Sequence, residues 1–182
     1  MAPRIHDLGY SPGIHPPGPT NSILDVPGVH ISQLTIPTTT SSNSKSPNST
    51  ACKGLTLISP RPPQSYHAPC AASTFTFNGN GELTGSRQIS DWGFINTPIA
   101  FTNSLSLGTV FDGIWDWILE QQDSKNWSGR DRSRNYGTPA VGETADWLVN
   151  CDVKASRVGR QDVARCFQNL RSGADGGLVK EG

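Results

Sequence analysis

Residues 98–122, PIAFTNSLSLGTVFDGIWDWILEQQ, join a short apolar segment to a longer amphipathic one. Pro98–Thr102 is predicted to be a strand, since its proline stands at the first position, where a strand tolerates it. From Gly108 to Gln122 the large apolar side chains recur at helical spacing on one broad face, which predicts a helix. Those side chains are Val110, Phe111, Ile114, Trp115, Ile118 and Leu119. A strand followed directly by a helix indicates a fold that contains both.

Further short strands and a second helix are predicted elsewhere in the chain. Apolar and alternating patterns predict strands over Val29–Ile36 and Gly54–Ser59. The alternating run Ser73–Phe77 is followed by Asn78-Gly79-Asn80-Gly81, which is typical of a hairpin turn. A second helix is predicted over residues 160–171, where apolar side chains again recur at helical spacing, and Gly173 is expected to end it. Because the strands are short and glycine turns are many, an α+β fold is favoured over a doubly wound sheet.

The composition is balanced in charge and poor in apolar residues. The 182 residues include 15 Lys and Arg against 15 Asp and Glu, so no binding to nucleic acid or to an anionic membrane is expected. Only 34% are hydrophobic, with 19 Gly and 14 Pro. We therefore expect residues 1–182 to form a single but incomplete domain that needs a partner segment to finish its core. Residues 37–50 are almost wholly Ser, Thr, Asn and Pro, and a disordered insertion is expected there.

The apolar stretches and the Cys and His spacing bear on the cellular location and on metal binding. No stretch approaches the ~20 apolar residues of a membrane span, and residues 1–19 lack the apolar region of a secretory signal, so a cytoplasmic location is expected. The four cysteines and four histidines do not pair at metal-ligand spacing. We expect free thiols and no zinc site.

Glu82 is the first candidate site residue. Its carboxylate directly follows Asn78-Gly79-Asn80-Gly81, and a carboxylate fixed beside a glycine turn suits the ammonium group of a substrate. The alternative is that the motif is only a hairpin turn.

Asn103 and Gly108 are candidate substrate-binding residues at the crossing from the strand to the helix. A helix N-terminus presents unpaired N–H groups and a partial positive charge, which suit an oxyanion or a carboxylate. The alternative is simple N-capping of the helix by Ser106 or Thr109.

Asn150 is the candidate oxyanion donor. It follows Val141-Gly142-Glu143-Thr144, and an asparagine amide can donate to the negative oxygen that develops in acyl transfer. The alternative is an ordinary turn residue.

Taken in order, these motifs resemble the autoprocessing β-aminopeptidase family, which includes the L-aminopeptidase/D-esterase enzymes. The resemblance runs from about residue 9 to the last residue. Its matching segments are Asn21–Val29, Gly54–Ile58, Asn78–Gly85, Trp92-Gly93, Pro98-Ile99, Thr102–Val110, Val141–Thr144 and Glu181-Gly182.

The resemblance implies the first part of an αββα sandwich of the N-terminal-nucleophile type. In that family a precursor cuts itself into an α-chain and a β-chain, and the new N-terminal Ser of the β-chain is the nucleophile, without a metal or cofactor. Residue by residue, Glu82 matches the carboxylate that holds the substrate's free amine, and Asn150, our candidate oxyanion donor, matches the asparagine of the family's Leu-Asn-Asp segment. The complete enzyme is expected to be a homo-oligomer that acts on small peptides or amino-acid amides.

The sequence stops at Gly182, before any counterpart of the family's cleavage site. We therefore expect a C-terminal β-chain-like segment to supply the Ser, and the 182-residue chain alone to be inactive. Two alternatives stay open: a truncated, non-catalytic remnant or binding module of the same fold, and an autoprocessing N-acetyltransferase of similar architecture.

Overall fold

The computed structural model of the chain describes residues 5–37, 52–124, 136–145 and 157–173. The strands are β1 (His30–Pro37), β2 (Cys52–Ser59), β3 (Cys70–Ala71), β4 (Phe94–Ile95), β5 (Ile99–Asn103), β6 (Ala140–Thr144) and β7 (Arg171–Ser172). The α-helices are α1 (Ser86–Trp92), α2 (Leu107–Ser124) and α3 (Arg160–Gln168). Short 3₁₀ helices lie at Ile5–Leu8, Ile23–Asp25, Pro63–Ser65 and Ser104–Ser106.

Five strands form one mixed sheet in the order β6-β5-β2-β1-β7. β1 and β2 pair antiparallel from His30 opposite Ser59 to Pro37 opposite Cys52. β2 also pairs antiparallel with β5, whereas β5 and β6 are parallel neighbours. Parallel strands need a crossover connection, which α2 supplies here. β5 and β6 therefore end at the same end of the sheet.

Helices α2 and α3 cover one face of this sheet. Along β2, Lys53, Leu55, Leu57 and Ser59 are buried and the residues between them are more exposed, as expected of a strand with one covered face. The central leucines join a core cluster with apolar side chains of both helices, including Val110, Ile114, Ile118, Val163, Cys166 and Phe167. Trp117 of α2 stacks on Phe167 of α3, with ring centroids 4.2 Å apart. The predicted apolar face of α2 thus forms the core.

A second sheet, made of β3 and β4, packs with α1 on the opposite face. Ile89 of α1 and Ile95 of β4 form a cluster with Ala140, against which Ile99 also packs. Ala140 and Ile99 alternate along their strands with the residues that face α2 and α3, so this cluster lies on the other side of the large sheet.

The structure confirms the predicted α+β fold with two sheets and helices. The strands expected around residues 29–36, 54–59 and 98–102 are present as β1, β2 and β5, and both predicted helices exist. Leu119, expected on the apolar face of α2, is 44% exposed.

Two local predictions were wrong, and one helix was not predicted. Ser73–Phe77 has no strand partner among the described residues, so Asn78-Gly79-Asn80-Gly81 does not close a hairpin. The second helix ends at Gln168, because residues 171–172 pair with β1 instead of adding another turn. The helix that was not predicted is α1, which lies between Gly85 and Gly93.

The predicted disordered insertion begins one residue too early. Pro37 is the last residue of β1, opposite Cys52, and residues 38–50 lie outside the described part of the chain. Cys70 and Cys166 are free thiols. Among the described residues, no three His, Cys, Asp or Glu side chains are grouped to hold a metal, and no helix is both long and apolar enough to cross a membrane.

Candidate active site

The parallel strands β5 and β6 bring two of the sequence motifs to one end of the sheet. Thr102 lies opposite Glu143, and Asn103 lies opposite Thr144. Because both strands run in the same direction, the residues that follow them emerge side by side. The strand-to-helix crossing after β5 and the Val141–Thr144 motif therefore meet.

The outer edge of β6 is occupied by the segment that carries Glu82. The N–H of Glu143 donates to the carbonyl oxygen of Glu82 at 3.0 Å, and Leu83 forms an antiparallel bridge with Gly142. The glycine-rich motif thus lies on β6 rather than in a hairpin, which is the reason that Glu82 reaches the end of this strand.

Thr84 and Gly85 fasten the segment to β6. The Thr84 hydroxyl donates to the carbonyl of Pro139 at 2.6 Å and accepts the N–H of Val141 at 2.8 Å. Gly85 has φ +73°, and a Cβ there would lie 2.9 Å from the carbonyl oxygen of Thr138. Only glycine fits that close approach without strain.

Two carboxylates accept backbone N–H groups where Glu82 passes the end of β6. The N–H of Glu82 donates to Oε2 of Glu143 at 2.9 Å, and the N–H of Leu83 donates to Oε1 of Glu82 at 3.1 Å. Glu82 is exposed and Glu143 is half-buried. The exposed Glu82 carboxylate offers fixed negative charge at the surface, which can bind an ammonium group.

Asn103 provides a buried polar group one strand away. Its side chain is 4% exposed, and its Nδ2 has no hydrogen-bond partner within the described part of the chain. An unpaired buried donor is costly, and such groups are found where a ligand completes the bonding. Asn103 directly precedes the 3₁₀ turn Ser104–Ser106 that leads into α2. Gly108 is exposed in the first turn of that helix.

The N-terminal end of α2 is also contacted by the segment that leads into α3. The N–H of Val158 donates to the Ser106 hydroxyl at 3.1 Å, and both residues are buried. The Ser106 hydroxyl therefore joins the two segments of backbone.

A family model described as Peptidase family S58 matches residues 21–182. The chain belongs to peptidase family S58. β-Peptidyl aminopeptidase BapA of Sphingosinicella microcystinivorans is 31% identical over 173 residues, which are 94% of this chain and 40% of that protein. The resemblance found in the motifs is confirmed.

Solved aminopeptidases have the same fold as this S58 chain. The L-aminopeptidase D-Ala-esterase/amidase of Ochrobactrum anthropi, described as a new variant among the Ntn hydrolase fold, superposes with a TM-score of 0.76 at 31% identity. That match covers 94% of this chain and 45% of the other. A β-aminopeptidase of Burkholderia sp. gives a TM-score of 0.72 at 32% identity and covers 93% of this chain and 44% of that one. The S58 chain thus spans less than half the length of these relatives.

The S58 chain brings three of its four predicted site residues to one end of the large sheet. Glu82 lies on β6, Asn103 ends the neighbouring β5, and Gly108 begins the helix that follows. Asn150 lies outside the described residues. Sequence analysis missed Glu143 as a partner of Glu82. The only available signal was its place in the Val141–Thr144 motif.

Proposed function

We propose that this chain is the α-chain-like part of an autoprocessed serine aminopeptidase. The complete enzyme removes the N-terminal residue from small peptides, amides or esters. The observation that carries this proposal is the placement of Glu82 and Asn103 on the two sides of β6, with Asn103 buried and its Nδ2 without a hydrogen-bond partner in the described part of the chain. Membership of a peptidase family supports hydrolysis rather than N-acetyl transfer.

The nucleophile in this proposal is an N-terminal Ser supplied by a β-chain-like segment. Its Oγ attacks the substrate carbonyl carbon while its own α-amine takes the hydroxyl proton. The tetrahedral intermediate then collapses, the leaving amine receives that proton, and an ester joins the acyl group to Ser. Water attacks this acyl-enzyme, with the α-amine again as base, and releases the free amino acid. No metal or organic cofactor takes part in these steps.

Each site residue has a separate role. Glu82 holds the substrate ammonium, because an exposed carboxylate fixed by its own backbone presents a stable negative charge. Asn103 and the start of α2 at Gly108 bind the acyl part through amide N–H groups. Asn150 donates to the oxyanion, which disperses the charge of the tetrahedral intermediate.

The proposal extends to the assembled protein. We propose a cytoplasmic location and a homo-oligomer that contains both chain types. Its substrates are small molecules rather than nucleic acids or membranes.

The test uses the native protein that contains this chain, with α- and β-aminoacyl p-nitroanilides and their N-acetylated analogues. We expect hydrolysis of free-amine substrates, poor hydrolysis of the acetylated ones, and a second polypeptide that begins with Ser in the denatured mass spectrum. A native protein that transfers acetyl groups between amino acids, or that shows no second polypeptide and no turnover, contradicts the proposal.

A further inference from the structure

Glu143 has no role in the reaction proposed above, yet it forms two hydrogen bonds with the backbone of Glu82. Its carboxylate accepts the N–H of Glu82 at 2.9 Å, and its own N–H donates to the carbonyl of Glu82 at 3.0 Å. Glu143 thus holds both the N–H and the carbonyl group of the residue that anchors the amine, across a sequence separation of 61 residues.

The backbone conformation just before Glu82 favours a glycine. Gly81 has φ +117°, and a Cβ at that position would lie 3.4 Å from Oε2 of Glu143. Positive φ is strained for any residue with a side chain. The glycine therefore allows the backbone to close on the Glu143 carboxylate.

The same freedom makes the peptide unit between Gly81 and Glu82 difficult to hold in one orientation. Glycine reaches positive and negative φ with similar ease, so the N–H of Glu82 is not directed by local backbone preference. An oxygen of the Glu143 side chain accepts that N–H, and this bond fixes the direction in which the Glu82 backbone, and hence its side chain, leaves β6.

We infer that Glu143 is a positioning residue for Glu82, and that the preference for a free N-terminal amine depends on both. This inference rests on the proposed function. A positioning role requires a side chain as long as glutamate, so that its acceptor oxygen contacts the Glu82 N–H. A direct electrostatic role for Glu143 would instead require its charge.

Two conservative variants separate the effect of the length of the Glu143 side chain from the effect of its charge. Glu143→Gln keeps an acceptor oxygen at the same reach and loses the charge, whereas Glu143→Asp keeps the charge and withdraws the oxygen by one methylene. Glu120→Gln is the matched control, because Glu120 is an exposed glutamate on α2. The readout is kcat and KM of the native protein on aminoacyl p-nitroanilides with free and acetylated amines.

We expect Glu143→Gln and the control to keep KM for free-amine substrates within about twofold of the unmodified protein. Glu143→Asp is expected to raise that KM about tenfold, the effect of losing one hydrogen bond, with no change for acetylated substrates. If Glu143→Asp keeps the full preference while Glu143→Gln loses it, Glu143 acts by charge and the inference is overturned. Unchanged KM in both variants overturns it as well.

A second measurement keeps this test independent of the proposed function. If the unmodified protein shows no preference for free amines, the proposed function fails, and hydrogen exchange of the Glu82 amide then decides the inference. Exchange at Glu82 is expected to be about tenfold faster in Glu143→Asp than in Glu143→Gln, since only the longer side chain reaches the N–H. Equal protection in the two variants overturns the positioning role.

Discussion

Thr84 and Val141 exchange two hydrogen bonds across the edge of the large sheet. The N–H of Thr84 donates to the carbonyl of Val141 at 3.0 Å, and the N–H of Val141 donates to Oγ1 of Thr84 at 2.8 Å. The N–H of Val141 is therefore bound by a side-chain oxygen rather than by a backbone carbonyl. In this way the threonine hydroxyl completes the hydrogen bonding along the edge of β6, where the glycine-rich segment turns away from the strand.

Thr84→Val should destabilise the protein, because it keeps the shape of the side chain and removes this hydroxyl. The buried N–H of Val141 and the buried carbonyl of Pro139 both lose a partner. An unsatisfied buried group costs about 1–3 kcal/mol, which corresponds to a fall of several degrees in Tm for a chain of this size. Thermal melts measure it, with Thr84→Ser as the control that keeps the hydroxyl. A Thr84→Val protein that melts within a degree of the unmodified one contradicts this account.

On the proposed function, Glu82→Gln should remove the preference for substrates with a free amine. The amide preserves the size of the side chain and an acceptor for the Leu83 N–H, but it has no charge to attract an ammonium group. The measurement is kcat/KM for paired free and N-acetylated substrates. If the ratio between the two is unchanged, the amine anchor lies elsewhere and Glu82 is a turn residue.

Asn150→Ala should lower kcat and kcat/KM together, by about 10²–10³, for every substrate that is still turned over. Loss of an oxyanion donor weakens transition-state binding without weakening ground-state binding. Asn103→Ala is the comparison: on the roles proposed here it mainly raises KM. A near-normal kcat in Asn150→Ala would move the oxyanion role to Asn103 or to the amides at the start of α2.

Residues 38–50 should be dispensable for stability. They connect the paired ends of β1 and β2 at Pro37 and Cys52, and loop closure costs only about 0.6 kcal/mol for each doubling of length. A short Gly-Ser linker in their place should leave the melting temperature nearly unchanged, provided that Pro37 is kept. A loss of several degrees would show that the segment packs against the rest of the protein.

The protein should lose stability in alkaline solution. Burial raises the pKa of the Cys166 thiol and of the Tyr66 hydroxyl. Each group binds its proton more tightly when folded, so its contribution is full below the unfolded pKa, about 8.5 for a thiol and about 10 for a phenol, and is lost as the pH rises through the folded value.

The urea midpoint, measured from pH 7 upward, should therefore stay level at first and fall above about pH 9. Cys166→Ala is the matched variant: it is less stable overall, because it leaves a cavity, but its midpoint should fall less steeply with pH. If the urea midpoints of the two proteins fall in parallel as the pH rises, the Cys166 thiol is excluded as a source of the loss of stability in alkaline solution.

The local pattern of the sequence predicted the main helices and strands but not which of them contact one another. The period of α2 and the apolar runs of β1, β2 and β5 depend on neighbours within a few residues, and these elements were predicted correctly. The pairing of Glu82 with Glu143 depends on contacts 61 residues apart, which no local period encodes. The end of the second helix is a similar case. Arg171 pairs with Ile31 of β1 instead of extending the helix, and this pairing is also a contact between residues far apart in the sequence. Glu82, Asn103 and Gly108 could be proposed from their motifs, whereas Glu143 could be found only from its contact with Glu82.

The position of Glu82 beside β6 also sets a length. Neighbouring strands lie about 4.8 Å apart, so the backbone at Glu82 and the end of β5 are separated by two such spacings, roughly 10 Å. Strand β6 fills this interval, so the backbone that carries Glu82 and the backbone that carries Asn103 lie on its two sides. On the proposed function, the sheet therefore fixes the distance between these two substrate-binding residues, and a substrate has to fit that distance.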